Sequence, residues 1–192
     1  MKFRLAVLSF VVALAGCGHE NPATPSQTTA STKTVTSNVA TVVNGDFEQA
    51  ASTGDFPGWQ FLQHAGPKSY GVAIDSKVVF AGHGSFRITR TQPQVFGSLV
   101  QDLPIAGLAG KTVELSAMLK SSDVGVDGWK LFINGYTPNG LEYSPGLTGT
   151  HDWQRDSVRL KITPQMQRLT IGVTLLDAGT AWVDNVQFHV VD

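Results

Sequence analysis

Residues 112–120 read TVELSAMLK, and the fold turns on that stretch. Val113, Leu115, Ala117 and Leu119 take every second position, with Thr112, Glu114 and Ser116 between them. Successive side chains of an extended chain point to opposite faces, so this spacing predicts a strand with one face buried and one facing water. Val158, Leu160 and Ile162 repeat the pattern, with Arg159 and Lys161 on the other face. A helix needs apolar residues three and four apart, and no segment sustains that spacing over three turns.

With these two runs included, strands are predicted at 40–43, 58–63, 69–74, 85–91, 96–102, 111–120, 129–134, 153–162, 169–176 and 180–190. Turn-forming residues separate them: Asn44-Gly45, Pro57-Gly58, Gly66-Pro67, Gly107 to Gly110, Asn134-Gly135, Pro138 to Gly140 and Pro145-Gly146. The Gly-rich stretch 125–146 is expected to be the longest loop region. Short strands at this spacing predict an all-β fold of two packed antiparallel sheets, a β-sandwich or jelly roll. Internal repeats are absent, which disfavours propellers and solenoids. About 150 residues, 40–192, suffice for one domain with its own core.

The first 39 residues are of a different kind. Lys2 and Arg4 precede an apolar run from Leu5 to Leu14, interrupted by Ser9, and Ala15 and Gly16 lead into Cys17. About ten apolar residues are half of what a bilayer-spanning helix needs, so the segment is expected to be a signal peptide, residues 1–16. Leu14-Ala15-Gly16-Cys17 resembles the lipobox of bacterial lipoproteins. That resemblance implies cleavage before Cys17 and acylation of its thiol. A plain secretory signal that happens to contain a cysteine is the alternative. Cys17 is the single cysteine, so no internal disulfide can form. One acyl chain holds a protein only marginally at a membrane, whereas the several chains (palmitate among them) of lipoproteins anchor it durably. Gly18 stands where an aspartate would suggest inner-membrane retention, so the resemblance favours the outer membrane. Residues 17–39, rich in Pro, Ser, Thr, Asn and Gln, bury too little to fold and are expected to be a flexible linker.

Without Lys2 and Arg4 the 14 basic residues fall to 12 against 15 acidic ones, a net charge of −3. No basic cluster exists, and nucleic acid is an improbable partner. No HExxH, GxSxG or phosphate-binding loop is present, and the histidines at 19, 64, 83, 151 and 189 lack metal-ligand spacing. His83-Gly84-Ser85 lacks the strand–elbow–helix setting of a nucleophilic serine. Asp75, Asp123, Asp127, Glu142 and Asp177 offer carboxylates, but their placement singles out no acid–base pair. The chain is therefore expected not to be an enzyme.

Several segments in order carry a second resemblance: Val43-Asn44-Gly45-Asp46-Phe47-Glu48, then Gly58-Trp59, then Gly82-His83-Gly84-Ser85-Phe86-Arg87-Ile88. Arg90-Thr91 through Val100-Gln101-Asp102-Leu103, Leu108-Ala109-Gly110-Lys111-Thr112-Val113 and Ala181 to Phe188 continue the series. Together these are similar to the β-jelly-roll carbohydrate-binding modules of families four, nine and twenty-two, within the galactose-binding-like fold. The resemblance implies that the first and last strands lie side by side with a structural Ca²⁺ between them. Glu48 and Asp184 would supply carboxylates, with carbonyls of Asp46 and of Gly82 or His83. Asp184 shares its face with Trp182, Val186 and Phe188, where a carboxylate is costly unless paired, hydrogen-bonded or metal-bound.

Sugar recognition by such modules uses aromatic faces flanked by polar groups. Phe96 stands where they often carry a stacking tryptophan. Trp129, Tyr136 and Tyr143 lie in or beside 125–146, and Gln101, Arg90 and His64 could add polar contacts. Trp59, Trp153 and Trp182 are expected to pack the fold, and Trp129 and Tyr136 are equally readable as packing or as ligand contacts. The strand 169–176, LTIGVTLL, lacks the aromatic and acidic partners typical of the groove, so fold and ligand are separable. The expected function is a membrane-anchored, non-catalytic module that binds a glycan. An envelope protein–protein interaction or assembly role is the alternative, with a polysaccharide-degrading enzyme behind it.

Overall fold

Val113, Leu115 and Leu119 are fully buried in the computed structural model, as the alternation in 112–120 requires. The structure describes residues 40–49, 56–64, 68–93 and 96–192. The expected signal peptide (1–16), Cys17 and the expected linker (17–39) lie outside the described residues. Among the described residues nine strands follow one another: β1 (Gln60–Gln63), β2 (Tyr70–Asp75), β3 (Ser85–Arg90), β4 (Gly97–Leu103), β5 (Thr112–Asn134), β6 (Leu141–Tyr143), β7 (Leu147–Lys161), β8 (Leu169–Leu175) and β9 (Thr180–Val190). Every pairing is antiparallel, and the described residues contain no helix.

The 23-residue β5 belongs to both layers. Its first half, from Thr112 to Ser122, lies between β7 and β9, and β9 continues to β3 and β2. Its last part, Trp129 to Asn134, lies between β8 and β6, and β8 continues to β4 and β1. The result is the β-sandwich read from the sequence, within the compact unit Thr36–Asp192. Odd-numbered residues of β5 (Val113 to Leu119, then Trp129, Leu131 and Ile133) face inward with Leu169, Ile171, Val173 and Leu175 of β8.

Two sequence expectations need correction here. The runs 111–120 and 129–134 are not separate strands. Three register shifts between Leu119 and Trp129 let β5 turn from one sheet into the other without ending, as β-bulges do. Asp123 (φ 54°) and Gly128 (φ 82°) take the left-handed conformations this bend needs, so the glycines and aspartates mark a corner instead of a loop. Part of 125–146 is therefore strand.

Residues 40–43, expected as a strand, have no regular pairing. The two ends of the domain still meet, because Val186 N of β9 donates to Gly45 O (2.8 Å). Asn44 holds this entry loop from a left-handed backbone (φ 52°). Its Oδ1 accepts from Gln49 N (3.0 Å), its Nδ2 donates to Pro57 O (3.1 Å), and its carbonyl accepts Trp59 Nε1 (3.0 Å). Phe47 then stacks on Trp59 (5.7 Å between centroids) and meets Phe86 (6.1 Å). These bonds explain why the Asn44-Gly45 and Gly58-Trp59 signatures occur together.

Candidate ligand-binding groove

In the last part of β5 and in β8, β4 and β1 the odd positions turn to the core and the even ones form an outer face, which the exposed Leu141 and Tyr143 of β6 join. Cross-strand register sets them in rows: Leu62 beside Ser98 and Thr174, and Asp102 beside Thr170 and Asn134. In the middle row Gln60, Val100, Gly172, Phe132 and Tyr143 are neighbours. This face is the floor of a groove of about 450 Å³, flanked by Phe96, Tyr136, Leu141 and Arg168. That volume lies within the range of small-ligand sites.

Gly172 decides the shape of the floor. A Cβ there would stand 2.7 Å from Cε1 and Cζ of Phe132, so only glycine lets that ring lie across β8. Phe132 in turn packs at 50° against Tyr143 (5.9 Å). Phe96 and Tyr136 are 40% and 52% exposed. Both sit on left-handed backbones (φ 83° and 55°), which is strained for an aromatic residue and is tolerated mainly where the surroundings, often a functional site, hold it.

One end of the groove is polar. Asp102 accepts from Arg168 Nη2 (2.9 Å to Oδ2) and from the Thr170 hydroxyl, and the Tyr136 hydroxyl lies 3.0 Å from Thr170 Oγ1. The Arg168 guanidinium sits 4.6 Å above the centre of the Tyr136 ring, a cation–π arrangement. Burial pushes the Asp102 carboxyl up, but the Thr170 hydroxyl and Arg168 outweigh it and hold it below its ordinary value. Asp102 therefore stays an acceptor, and Arg168 stays charged.

Of the residues singled out from the sequence, Phe96, Tyr136, Tyr143 and Gln101 line this groove. Gln101 does so as a brace. Its Oε1 accepts from Val43 N (2.8 Å), and its Nε2 donates to Val43 O (3.0 Å) and Gly58 O (2.7 Å). Trp129 is not a ligand contact: it is fully buried, with Nε1 donating to Trp182 O (3.0 Å). Arg90 lies away from the groove, 3.4 Å from Asp177 at the turn before β9, and His64 does not line it. The sequence reading missed Asp102, Phe132, Arg168 and Thr170. Asp102, Phe132 and Thr170 share outward parity on β4, β5 and β8, and Arg168 directly precedes β8; that signal becomes meaningful only once the strand order is known.

The carboxylates assigned to calcium are brought together at the opposite layer. Asp184, 1% exposed, accepts from Phe80 N (3.0 Å), Ala81 N (3.1 Å) and Asn185 N (2.6 Å). Glu48 accepts from His83 N (2.7 Å) and Gly84 N (3.1 Å), and its other oxygen lies 3.1 Å from His83 Nδ1. The loop 80–84 is thus clasped by both. Burial, with a contribution from the Glu48 charge, holds the Asp184 carboxyl above its ordinary value despite the amide bonds. Among the described residues no lysine or arginine pairs with either group. Two like-charged oxygen donors without a fixed counter-ion fit the chemistry of a hard cation. Backbone carbonyls would have to complete the shell, since no three His, Cys, Asp or Glu side chains cluster among the described residues. The Asp46 side chain stays on its own loop, accepting from Glu48 N (3.4 Å).

No protein-family model matches the chain. A Bacillus subtilis (strain 168) protein described as an uncharacterized HTH-type transcriptional regulator, YbfP, is 25% identical over 144 residues. The match covers 70% of this chain and 48% of that protein, so the chain spans about half the length of this relative. Among solved structures, the enzymatically active domain of bacteriophage CBA120 tailspike protein 4 superposes with a TM-score of 0.61 at 16% identity, covering 79% of this chain and 21% of that one. A cyclase from Fischerella sp. TAU in complex with 4-(1H-indol-3-yl)butan-2-one gives 0.59 at 16% identity, covering 79% and 96%. The carbohydrate-binding module TmCBM61, in complex with β-1,4-galactotriose, gives 0.54 at 19% identity, covering 78% and 98%. Likeness at this identity establishes the fold, a β-sandwich of the kind found in carbohydrate-binding modules.

Proposed function

We propose that residues 40–192 are a non-catalytic carbohydrate-binding module, and that the chain is a lipoprotein held at the outer membrane through Cys17 and the 17–39 linker. One observation carries the binding reading. Asp102, Phe96, Phe132, Tyr136, Tyr143 and Arg168, scattered over the sequence, converge on one outer sheet face. Aromatic rings offer flat apolar surface to the C–H face of a sugar, while Asp102, Arg168 and Thr170 offer acceptors and donors to its hydroxyls. That combination suits a polyhydroxylated ligand better than a purely apolar one. The calcium expectation belongs to this reading as a structural clasp at Glu48 and Asp184.

The test is a glycan array with the soluble unit 36–192, followed by calorimetric titration of the best ligand. Tyr136→Ala and Phe96→Ala are each expected to weaken binding about tenfold, the equivalent of about 1.4 kcal/mol. No product should form from the bound glycan. An array without any bound glycan would overturn the reading. For the anchor, labelled palmitate is expected on the full chain expressed in a Gram-negative host and absent from Cys17→Ser. Equal labelling of both would remove Cys17 as the lipid site.

A further inference from the structure

Beyond the groove, a second cavity of about 350 Å³ opens past the far end of β4, walled by Thr41, Val43, Leu103 and Pro104. It shares Gly58, Gln101 and Asp102 with the groove, so the two are successive compartments of one path. The junction is rigidly built. Gln101, only 6% exposed, ties Val43 and Gly58 together with three hydrogen bonds. Gly58 (φ 84°) is required there, because a Cβ would stand 2.8 Å from the Val43 side chain. Asp102 lies at the crossing with its side chain 55% exposed. Arg168 and Thr170 hold it from the groove side, and a carboxylate has room for further donors.

We propose that these compartments form one extended site for a neutral oligosaccharide chain, with Thr41, Val43 and Pro104 making a distal subsite beyond Asp102. This rests on the carbohydrate-binding reading above. Length supports a chain: from Phe96 to Pro104 the path follows β4 for roughly 26 Å at the usual rise per residue, more than a disaccharide fills. Charge supports neutrality. Among the described residues the charged ones lining the two compartments are Asp102 and Arg168, which pair with each other, and none of these residues supplies a surplus cation for a uronate.

The test titrates the unit 36–192 with xylobiose and xylohexaose, with galactobiose and galactohexaose, and with a galacturonate hexamer. A hexaose is expected to bind at least about tenfold more tightly than its biose, an increment of about 1.4 kcal/mol. Thr41→Arg, which fills the distal compartment from an exposed position, is expected to reduce the hexaose to the level of the biose. Pro104→Arg should do the same, and melting curves confirm that both variants remain folded. Equal affinity for biose and hexaose, or a Thr41→Arg protein that keeps the advantage of length, would overturn the distal subsite while leaving the groove. Preference for the galacturonate hexamer would overturn the neutral class. Binding of no saccharide of any length would instead fail the carbohydrate reading itself.

Discussion

Trp129→Ala is expected to destabilise the domain by about 3–5 kcal/mol, the range for truncating a fully buried tryptophan. Trp129 is 0% exposed and stands where β5 passes from one sheet to the other, between Leu147 of β7 and Leu175 of β8. Removing the indole opens a cavity at this corner and leaves the Trp182 carbonyl without the Nε1 donor. Trp129→Phe keeps most of the volume and loses the hydrogen bond, so about 1 kcal/mol is expected. Urea denaturation of the unit 36–192 measures both. The outcome that would count against the corner role is an alanine variant that melts like the parent protein and has lost only glycan affinity. Trp129 would then have to face the groove after all.

Asp184→Ala carries the second large effect, about 3 kcal/mol at neutral pH. The carboxylate accepts three backbone N–H groups, those of Phe80, Ala81 and Asn185. A hydrogen bond to a charged group contributes about 1.5–3 kcal/mol net, and part of it is regained here because water reaches the exposed Phe80 and Ala81. Relief of the burial that raises the Asp184 carboxyl offsets part of the sum. In a domain of this size the loss corresponds to a melting point lower by about 6–12 °C. Without its acceptor the 80–84 loop, which also carries the Glu48 bonds, loses half of its attachment. The same protein tests the cation. Chelator is expected to lower the melting point of the parent domain, calcium to restore it, and Asp184→Ala to respond to neither. A parent domain whose melting point ignores chelator would remove calcium from the clasp, leaving it held by amide hydrogen bonds alone.

How far the fold could be read in advance depends on the distance over which each residue acts. Val113 to Leu119 and Val158 to Ile162 announce their strands because alternation is a property of one strand and its two faces. Gly45 and Asn44 announce their turn because a left-handed backbone selects those residue types locally. Trp129 was ambiguous for a complementary reason. Its neighbours Gly125, Asp127 and Gly128 look like a loop, and only pairing with β7 and β8 makes that segment a bent strand.

The groove shows the same division. Phe96, Tyr136 and Tyr143 are legible in advance as aromatic residues near turn signals. Arg168 and Asp102 are ordinary charged residues 66 positions apart, and Phe132 is one apolar residue in an apolar run. LTIGVTLL carries no aromatic or acidic partner of its own because β8 contributes the floor while its neighbours contribute the side chains. Thr170, Gly172 and Thr174 are small, and their smallness admits the Phe132 ring and leaves room above the sheet.

The all-β character and the two antiparallel layers are written into the chain locally, in turn-forming residues such as Asn44-Gly45 and in alternating residues that fill the core. Which outward residues become neighbours follows from the folded sandwich: Asp102 meets Arg168, Phe132 lies over Gly172, and Trp129 is inside. Burial alternates within a strand and is encoded locally. Adjacency across strands depends on order and register, which the whole sandwich sets through the packing of its inner faces.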